Sequence, residues 1–332
     1  MKFTEKDLKY IKQYGLTPEK VSRDAATIIN GIPSTVLYKA AIIGQGIEAL
    51  DDSVQEKLVQ YYDKESAALD IVKFVPASGA ATRLFKTFQS FLSEYNYKTS
   101  GVDDFLAEKH NEELNTFFSN LEKLPFYPQL HDIVEQRSSD YKSKSKGAYF
   151  YLLVNTMLND DAMGYADLPK GLIPFHKYKD QVATPFEEQL KEAAAYASSK
   201  GLAKVHFTVS KAHESLFKNC FDAINERLSK KTATSFKIGY SYQKKETDTL
   251  AMGLDGTPFR DENGNLLFRP AGHGALIENL NEIDADLVFI KNVDNLSVDK
   301  YLPQNAGYKK MLAGKLVQLQ TQIFDYLRRL EK

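Results

Sequence analysis

Five short groups of residues have the types and spacing that phosphate chemistry needs. In "FVPASGAATRLFK", Phe74–Lys86, an apolar run ending at Pro76 opens into Ala77, Ser78, Gly79, Ala80 and Ala81, then reaches Thr82 and Arg83. Small residues after a buried strand let backbone N–H groups approach a ligand closely, and an arginine at the head of the next helix indicates an anionic ligand. In "LPKGLIPF", Lys170 stands between Pro169 and Gly171, a constrained backbone that aims an ammonium group suited to phosphate. The Gly272-His273-Gly274 turn of "RPAGHGAL" allows a flat base to lie against the backbone, and Gln243 offers an amide to a base edge. Asp294, in "NVDN" at the end of an apolar run, is a hard-oxygen ligand suited to magnesium.

Each group also has a plain structural reading: tight strand-to-helix packing for the first loop, a surface turn for Lys170, turn shaping for the two glycines, and an Asx turn or helix cap for Asp294 or Asn295. The first loop is neither a P-loop nor a dinucleotide fingerprint, because the lysine and the spaced glycines of those motifs are missing. Asp284 and Asp286 precede their strand and so fall at the wrong edge. His206 and His213 have no convincing ligand partners and are read as structural, and the "KSKSK" run at 142–146 is read as a solvated loop.

For these groups to act together, a sheet must bring them to one edge. Apolar strand candidates at 71–75, 203–209, 236–242 and 286–291, separated by helices or long connections, predict an α/β fold with a mainly parallel, doubly wound sheet. Ligands of such sheets collect at the carboxyl ends of the strands, where the first loop and Asp294 belong. The expected organisation is a helical region over 1–70, an α/β domain over 71–300 carrying a helical insert at about 91–160, and a C-terminal helix over 301–332. "PFEEQLKEAAAYASSKG" reads as a helix ending at Gly201.

Lys+Arg number 43 and Asp+Glu 44, a formal charge of -1, so the chain lacks the overall electrostatic footprint of a nucleic-acid binder. The one cysteine, Cys220, excludes an internal disulfide and a zinc cluster and is read as a small core residue in a reducing compartment. The N-terminus is charged where a secretory signal would be apolar, and no run approaches the ~20 apolar residues of a membrane helix, so a soluble cytoplasmic protein with no membrane partner is expected.

Taken in order, "VPASGAATRLFK", "LPKGLIPF", "SYQKKETDTLAMGLDGTPFRDENGNLLFRPAGHGALIENL" and "VFIKNVDNL" resemble motifs of the UDP-sugar pyrophosphorylases. The chain looks closer still to an uncharacterised bacterial family distantly related to those enzymes, with a helical N-terminal region and a helical insert after the first motif. The resemblance implies a Rossmann-like fold of the nucleotide-diphospho-sugar transferase type and a nucleotidyltransferase reaction, in which UTP and a sugar 1-phosphate give a UDP-sugar and pyrophosphate with Mg2+ as cofactor. It implies that Ala77–Ala81 form the nucleotide loop, that Arg83 and Lys170 act on the phosphates, that Gln243 and Gly272–Gly274 hold the uracil, and that Asp294 binds the metal.

Two departures accompany the likeness. The family's pair of leading glycines is replaced by Ala77 and Ser78, and the chain ends soon after Asp294, where the family continues into its sugar-binding half. That half is expected from a further segment or a partner. The alternatives are a non-catalytic nucleotide or nucleotide-sugar binding module and a glycosyltransferase using a nucleotide sugar.

Overall fold

A computed structural model describes residues 2–79, 84–159 and 161–331, with only the backbone of His273. The chain is a mixed α/β protein in which helix predominates, and it divides into two compact units.

The first unit contains Met1–Val72, Ser241–Val288 and Gly307–Lys332. Its opening helix, Glu5–Tyr14, starts with a capping box in which the Thr4 side chain accepts from the Asp7 N–H and the Asp7 side chain accepts from the Thr4 N–H, and it stops at Gly15 in the left-handed region. Thr17 caps the next helix, Pro18–Asn30, whose proline pre-sets the first turn as its sequence predicts. Ile11, Leu16, Val21 and Ala25 from these helices pack with Leu250, Leu266 and Phe268. Residues 26–49 are all exposed, and the helix Asp52–Glu65 follows. In 241–288 the chain turns back on itself at Gly256 and Gly264, both at positive φ, where Asp255 and Asp261 side chains accept from the N–H groups of Thr257 and Asn263.

The terminal helix, Leu302–Leu330, gives its residues from Gly307 onward to this unit. Gly314 lies so close to the preceding helix that an added Cβ would stand 2.2 Å from the carbonyl oxygen of Leu58. Ala313 and Val317 are buried beside it, and none of residues 318–331 is buried.

The second unit contains Lys73–Tyr240 and Phe289–Ala306. The sheet, most of whose residues belong to this unit, joins Leu287–Ile290, Ile71–Pro76, Leu202–Thr208 and Ser198–Ser199 in that order, and Ser235–Ser241 also pairs with Leu202–Thr208. The Lys291 N–H donates to Phe74 O and the Val293 N–H to Pro76 O, so partner numbers rise together and these two strands run parallel. Leu202–Thr208 ends beside Ile71–Pro76, since the Ala77 N–H donates to Thr208 O, and it begins beside Ser235–Ser241, since the Ser235 N–H donates to Gly201 O; both pairs are therefore parallel. Ser198–Ser199 runs antiparallel, which makes the sheet mixed. The four strand candidates thus form within a residue or so of their expected limits.

The insert supplies helices Lys86–Glu94, Val102–Lys109, Glu112–Ser119, Tyr127–Arg137 and Lys146–Leu158 around a core rich in aromatic rings, with Phe118 and Phe150 stacked at 3.9 Å. The "KSKSK" run is largely exposed, as expected of a solvated segment, and local contacts tie it down. Its Ser145 side chain caps the helix that follows, and Lys144 and Lys146 pair with Asp140 and Asp103. Cys220 is half-buried on Glu214–Thr232 rather than fully in the core. Among the described residues, no helix is long and apolar enough to cross a membrane.

Candidate functional site

Three of the chemistry-bearing segments meet at the carboxyl edge of the second unit's sheet. Ile71–Pro76 runs out into Ala77, Ser78 and Gly79, Leu287–Ile290 runs out into Val293 and Asp294, and the 3-10 turn Lys170–Leu172 joins them. The Lys170 N–H donates to Gly79 O at 3.4 Å, and Lys170 Nζ donates to Asp294 Oδ2 at 2.9 Å. Neither Lys170 nor Asp294 is buried, so the pair opens to solvent.

The geometry of the turn follows from its sequence. Pro169 enters it at φ -69°, and Gly171 is buried where a Cβ would come within 2.9 Å of the Phe217 ring and 3.1 Å of Val293 Cγ2. Glycine is therefore required for the turn to pack between the Glu214–Thr232 helix and the Asp294 segment. Gly79, Gly272 and Gly274 differ: a Cβ at any of them would meet no atom of the described residues within 4 Å.

Within the first loop the positions are unequal. Ala77 is buried and its N–H is taken up by Thr208 O at 2.8 Å, because the sheet ladder continues one residue past Pro76; its amide is not available to a ligand. Ser78 is half-buried and Gly79 exposed. Ala80, Ala81 and Arg83 lie outside the described residues, as does the side chain of His273. Gln243 belongs to the first unit, half-buried, with Nε2 3.5 Å from Asp248 Oδ1, and Gly272 and Gly274 are exposed in the same unit. Asp286, expected at the opposite edge, accepts from the Asp70 N–H there at 2.8 Å. His206 is structural as expected, stacked on Phe74 at 5.7 Å.

Sequence reasoning missed what holds Asp294 in place. The helix Pro185–Tyr196 buries Glu187, Glu188, Gln189, Lys191 and Glu192. Lys73, fully buried in the middle of a strand, donates to Glu192 Oε2 at 3.0 Å and to Gln189 O at 2.9 Å; Lys291 donates to Glu192 Oε1 at 2.6 Å and the Tyr196 hydroxyl to Oε2 at 2.9 Å. Burial pushes Glu192 up, yet the two lysines outweigh it and hold the carboxyl below its usual range. One turn away, Arg227 forks onto Glu187 at 3.1 and 2.8 Å, and Glu188 Oε1 accepts from the Tyr178 hydroxyl at 2.8 Å and from Lys191 at 3.2 Å. Burial, then Glu188, raises the Tyr178 phenol far above its ordinary value.

Every charge in this group has a partner, so its role is to fix the helix. From the helix, the Gln189 carboxamide, also fully buried, donates to Asn292 O at 2.9 Å and Val293 O at 3.2 Å and thereby sets the turn that presents Asp294. Among the described residues, Gln189 Oε1 has no hydrogen-bond partner. The available signal was Lys73: a lysine inside the apolar run "IVKFVP" has to find a buried anion.

The two motif segments also continue into one cavity of about 570 Å³, whose walls include Leu84 and Phe85 from the first, Ile173 and Phe175 from the second, and Phe88 and Phe117 from the insert. No group of three residues able to hold a metal ion occurs among the described residues.

The fold and this edge define a mixed α/β protein with a lysine–carboxylate pair at the ends of parallel strands. Residues 4–332 match the model of the family described as "Domain of unknown function (DUF4301)", and the chain belongs to that family. No curated protein and no solved structure matches the chain.

Proposed function

We propose that the chain is a nucleotidyltransferase that binds a uridine triphosphate at the Gly79–Lys170–Asp294 edge and transfers its nucleotidyl group to a sugar 1-phosphate, as the resemblance to UDP-sugar pyrophosphorylases implies. The finer fold in this reading is the doubly wound Rossmann-like sheet of the nucleotide-diphospho-sugar transferases. The observation that carries the proposal is the convergence of three motif segments, about 90 and 120 residues apart in sequence, through the two Lys170 contacts.

A phosphate group at this edge would take Lys170 Nζ away from Asp294 and gain an ammonium donor, while the exposed backbone at Gly79 leaves room for close approach. Arg83 supplies a second cation by its place in the sequence. Asp294 is a single carboxylate, which suits magnesium, since that ion keeps water and phosphate oxygens as most of its ligands and needs one or two carboxylates from the protein. When bound, the ion would neutralise charge on the phosphate oxygens.

In the reaction an oxygen of the sugar 1-phosphate forms a bond to the α-phosphorus, the α–β bridging bond breaks, and pyrophosphate departs with the electron pair. No protein nucleophile is required.

A second reading, a nucleotide-binding module without turnover, is favoured by Ala77, whose N–H the sheet has already engaged. Calorimetric titration with UTP and ATP in magnesium, followed by assay of pyrophosphate release with sugar 1-phosphates, separates the two. UTP preference with pyrophosphate release is expected; binding without release leaves the module, and no binding of either nucleotide rejects both.

A further inference from the structure

We propose that the cavity of about 570 Å³ in the second unit binds an amphipathic amine, a compact apolar body that ends in a protonated nitrogen. Sites that enclose a small organic molecule have volumes of roughly 300–1,000 Å³ and mostly apolar walls with a few polar groups. This wall has that composition. Phe88, Phe117, Phe126 and Phe175 reach it from four separate segments of the chain, and Phe88 and Phe117 meet edge to face with centroids 4.6 Å apart. Leu84, at 37% exposure, and Thr116 are wall residues in contact with water, so the cavity is open to an entering ligand.

The polar part of the wall is confined to one helix. Its described polar residues are Glu112, Glu113 and Thr116, all exposed on Glu112–Ser119, and no lysine or arginine stands among the described wall residues. Neither carboxylate has an ion-pair partner among the described residues; Glu113 accepts from the Thr87 hydroxyl at 2.5 Å, which leaves its charge uncompensated. The lysines next in sequence to the wall are engaged elsewhere: Lys123 Nζ donates to Asn120 Oδ1 at 2.8 Å and Lys177 Nζ to Glu122 O at 3.3 Å. A carboxylate in the first turn favours its own helix dipole wherever the helix lies. Here the pair also sets the electrostatics of an apolar cavity.

These features discriminate among ligands of one shape. An anion is repelled by both carboxylates, and a neutral molecule gains only burial of its apolar part. A protonated amine gains that burial, the attraction of two negative charges, and contact with aromatic rings, which draw cations to their faces. The selectivity is opposite in sign to that proposed for Lys170 at the sheet edge, so the cavity is a site for a different molecule and does not depend on the nucleotide reading.

The test is isothermal titration of the full chain, without nucleotide or magnesium, with three probes that share an indole body and differ at its end: tryptamine with an ammonium group, tryptophol with a hydroxyl and indoleacetate with a carboxylate. The wild type is expected to bind tryptamine at least about tenfold more tightly than tryptophol, and indoleacetate most weakly. The double variant Glu112→Gln/Glu113→Gln should bind tryptamine and tryptophol alike, and Thr116→Trp, which crowds the exposed wall, should weaken both by about tenfold or more. All three positions are exposed, and unchanged circular dichroism melting checks that the variants fold. No tryptamine binding by the wild type, equal affinity for tryptamine and tryptophol, a preference that survives the double variant, or binding unaffected by Thr116→Trp would each overturn the proposal.

Discussion

Two helices invert the usual arrangement in opposite senses. Pro185–Tyr196 buries glutamates and lysines, and the free part of Leu302–Leu330 exposes leucines. The first is stable because every buried charge has a partner within its own unit: Lys73 and Lys291 on Glu192, Arg227 on Glu187, Lys191 on Glu188. The second has no such internal partner past Val317. The contrast separates charges that the fold satisfies within one unit from apolar side chains that it leaves exposed, and it places rigid machinery behind Asp294.

The comparison breaks first at Glu192. Glu192→Ala leaves Lys73 buried without its anion, and loss of one partner of a buried pair costs about 3–5 kcal/mol. Leu319→Ala, in contrast, removes exposed surface and should change the unfolding free energy of dilute protein by no more than about 0.5 kcal/mol. Denaturant titration of both variants checks the difference, and equal losses would refute it. Acid sharpens the same point. Glu192 has its folded pKa below the usual 4.5, so its contribution is present above that pH and is lost as pH falls further, through the folded value. Stability of the wild type should therefore decline below pH 4.5 more steeply than that of Glu192→Gln.

A smaller effect is expected where the terminal helix is anchored. Gly314→Ala drives a methyl group into the Leu58 backbone, and overpacking of this kind costs about 1–3 kcal/mol. Thermal melting should detect it, whereas Gly79→Ala, whose methyl group meets no atom of the described residues within 4 Å, should leave the melting temperature unchanged.

Much of the α/β framework was legible in the sequence because its strands are mainly apolar runs and because Pro76 ends one of them; the helix expected to reach Gly201 stops instead at Tyr196, since Ser198–Ser199 turns into a short antiparallel strand before Leu202–Thr208. The contacts of Lys170 with Gly79 and Asp294 were approachable too, since Pro169 and Gly171 announce a fixed turn. The network around Pro185–Tyr196 was not legible: apolar periodicity identifies a helix but does not report which polar residues a tertiary environment will bury, and Gln189 has no local signature at all. Nor did local pattern reveal that most of 241–288 groups with the N-terminal region, because that grouping depends on Leu250, Leu266 and Phe268 meeting side chains more than two hundred residues earlier. Where Ala77 was expected at a ligand, the ladder's reach past Pro76 decided otherwise, a matter of strand length that sequence leaves open by a residue or two.

The most direct measurement is calorimetric titration of UTP with magnesium into the wild type and Lys170→Ala. The Lys170–Asp294 pair is solvent-exposed and contributes at most about 1 kcal/mol to folding, so the variant retains its structure. The expected result is binding by the wild type and at least a roughly tenfold loss of affinity in the variant, or about 1.4 kcal/mol. No heat of binding in the wild type, or equal affinity in both proteins, would contradict a phosphate site at this edge.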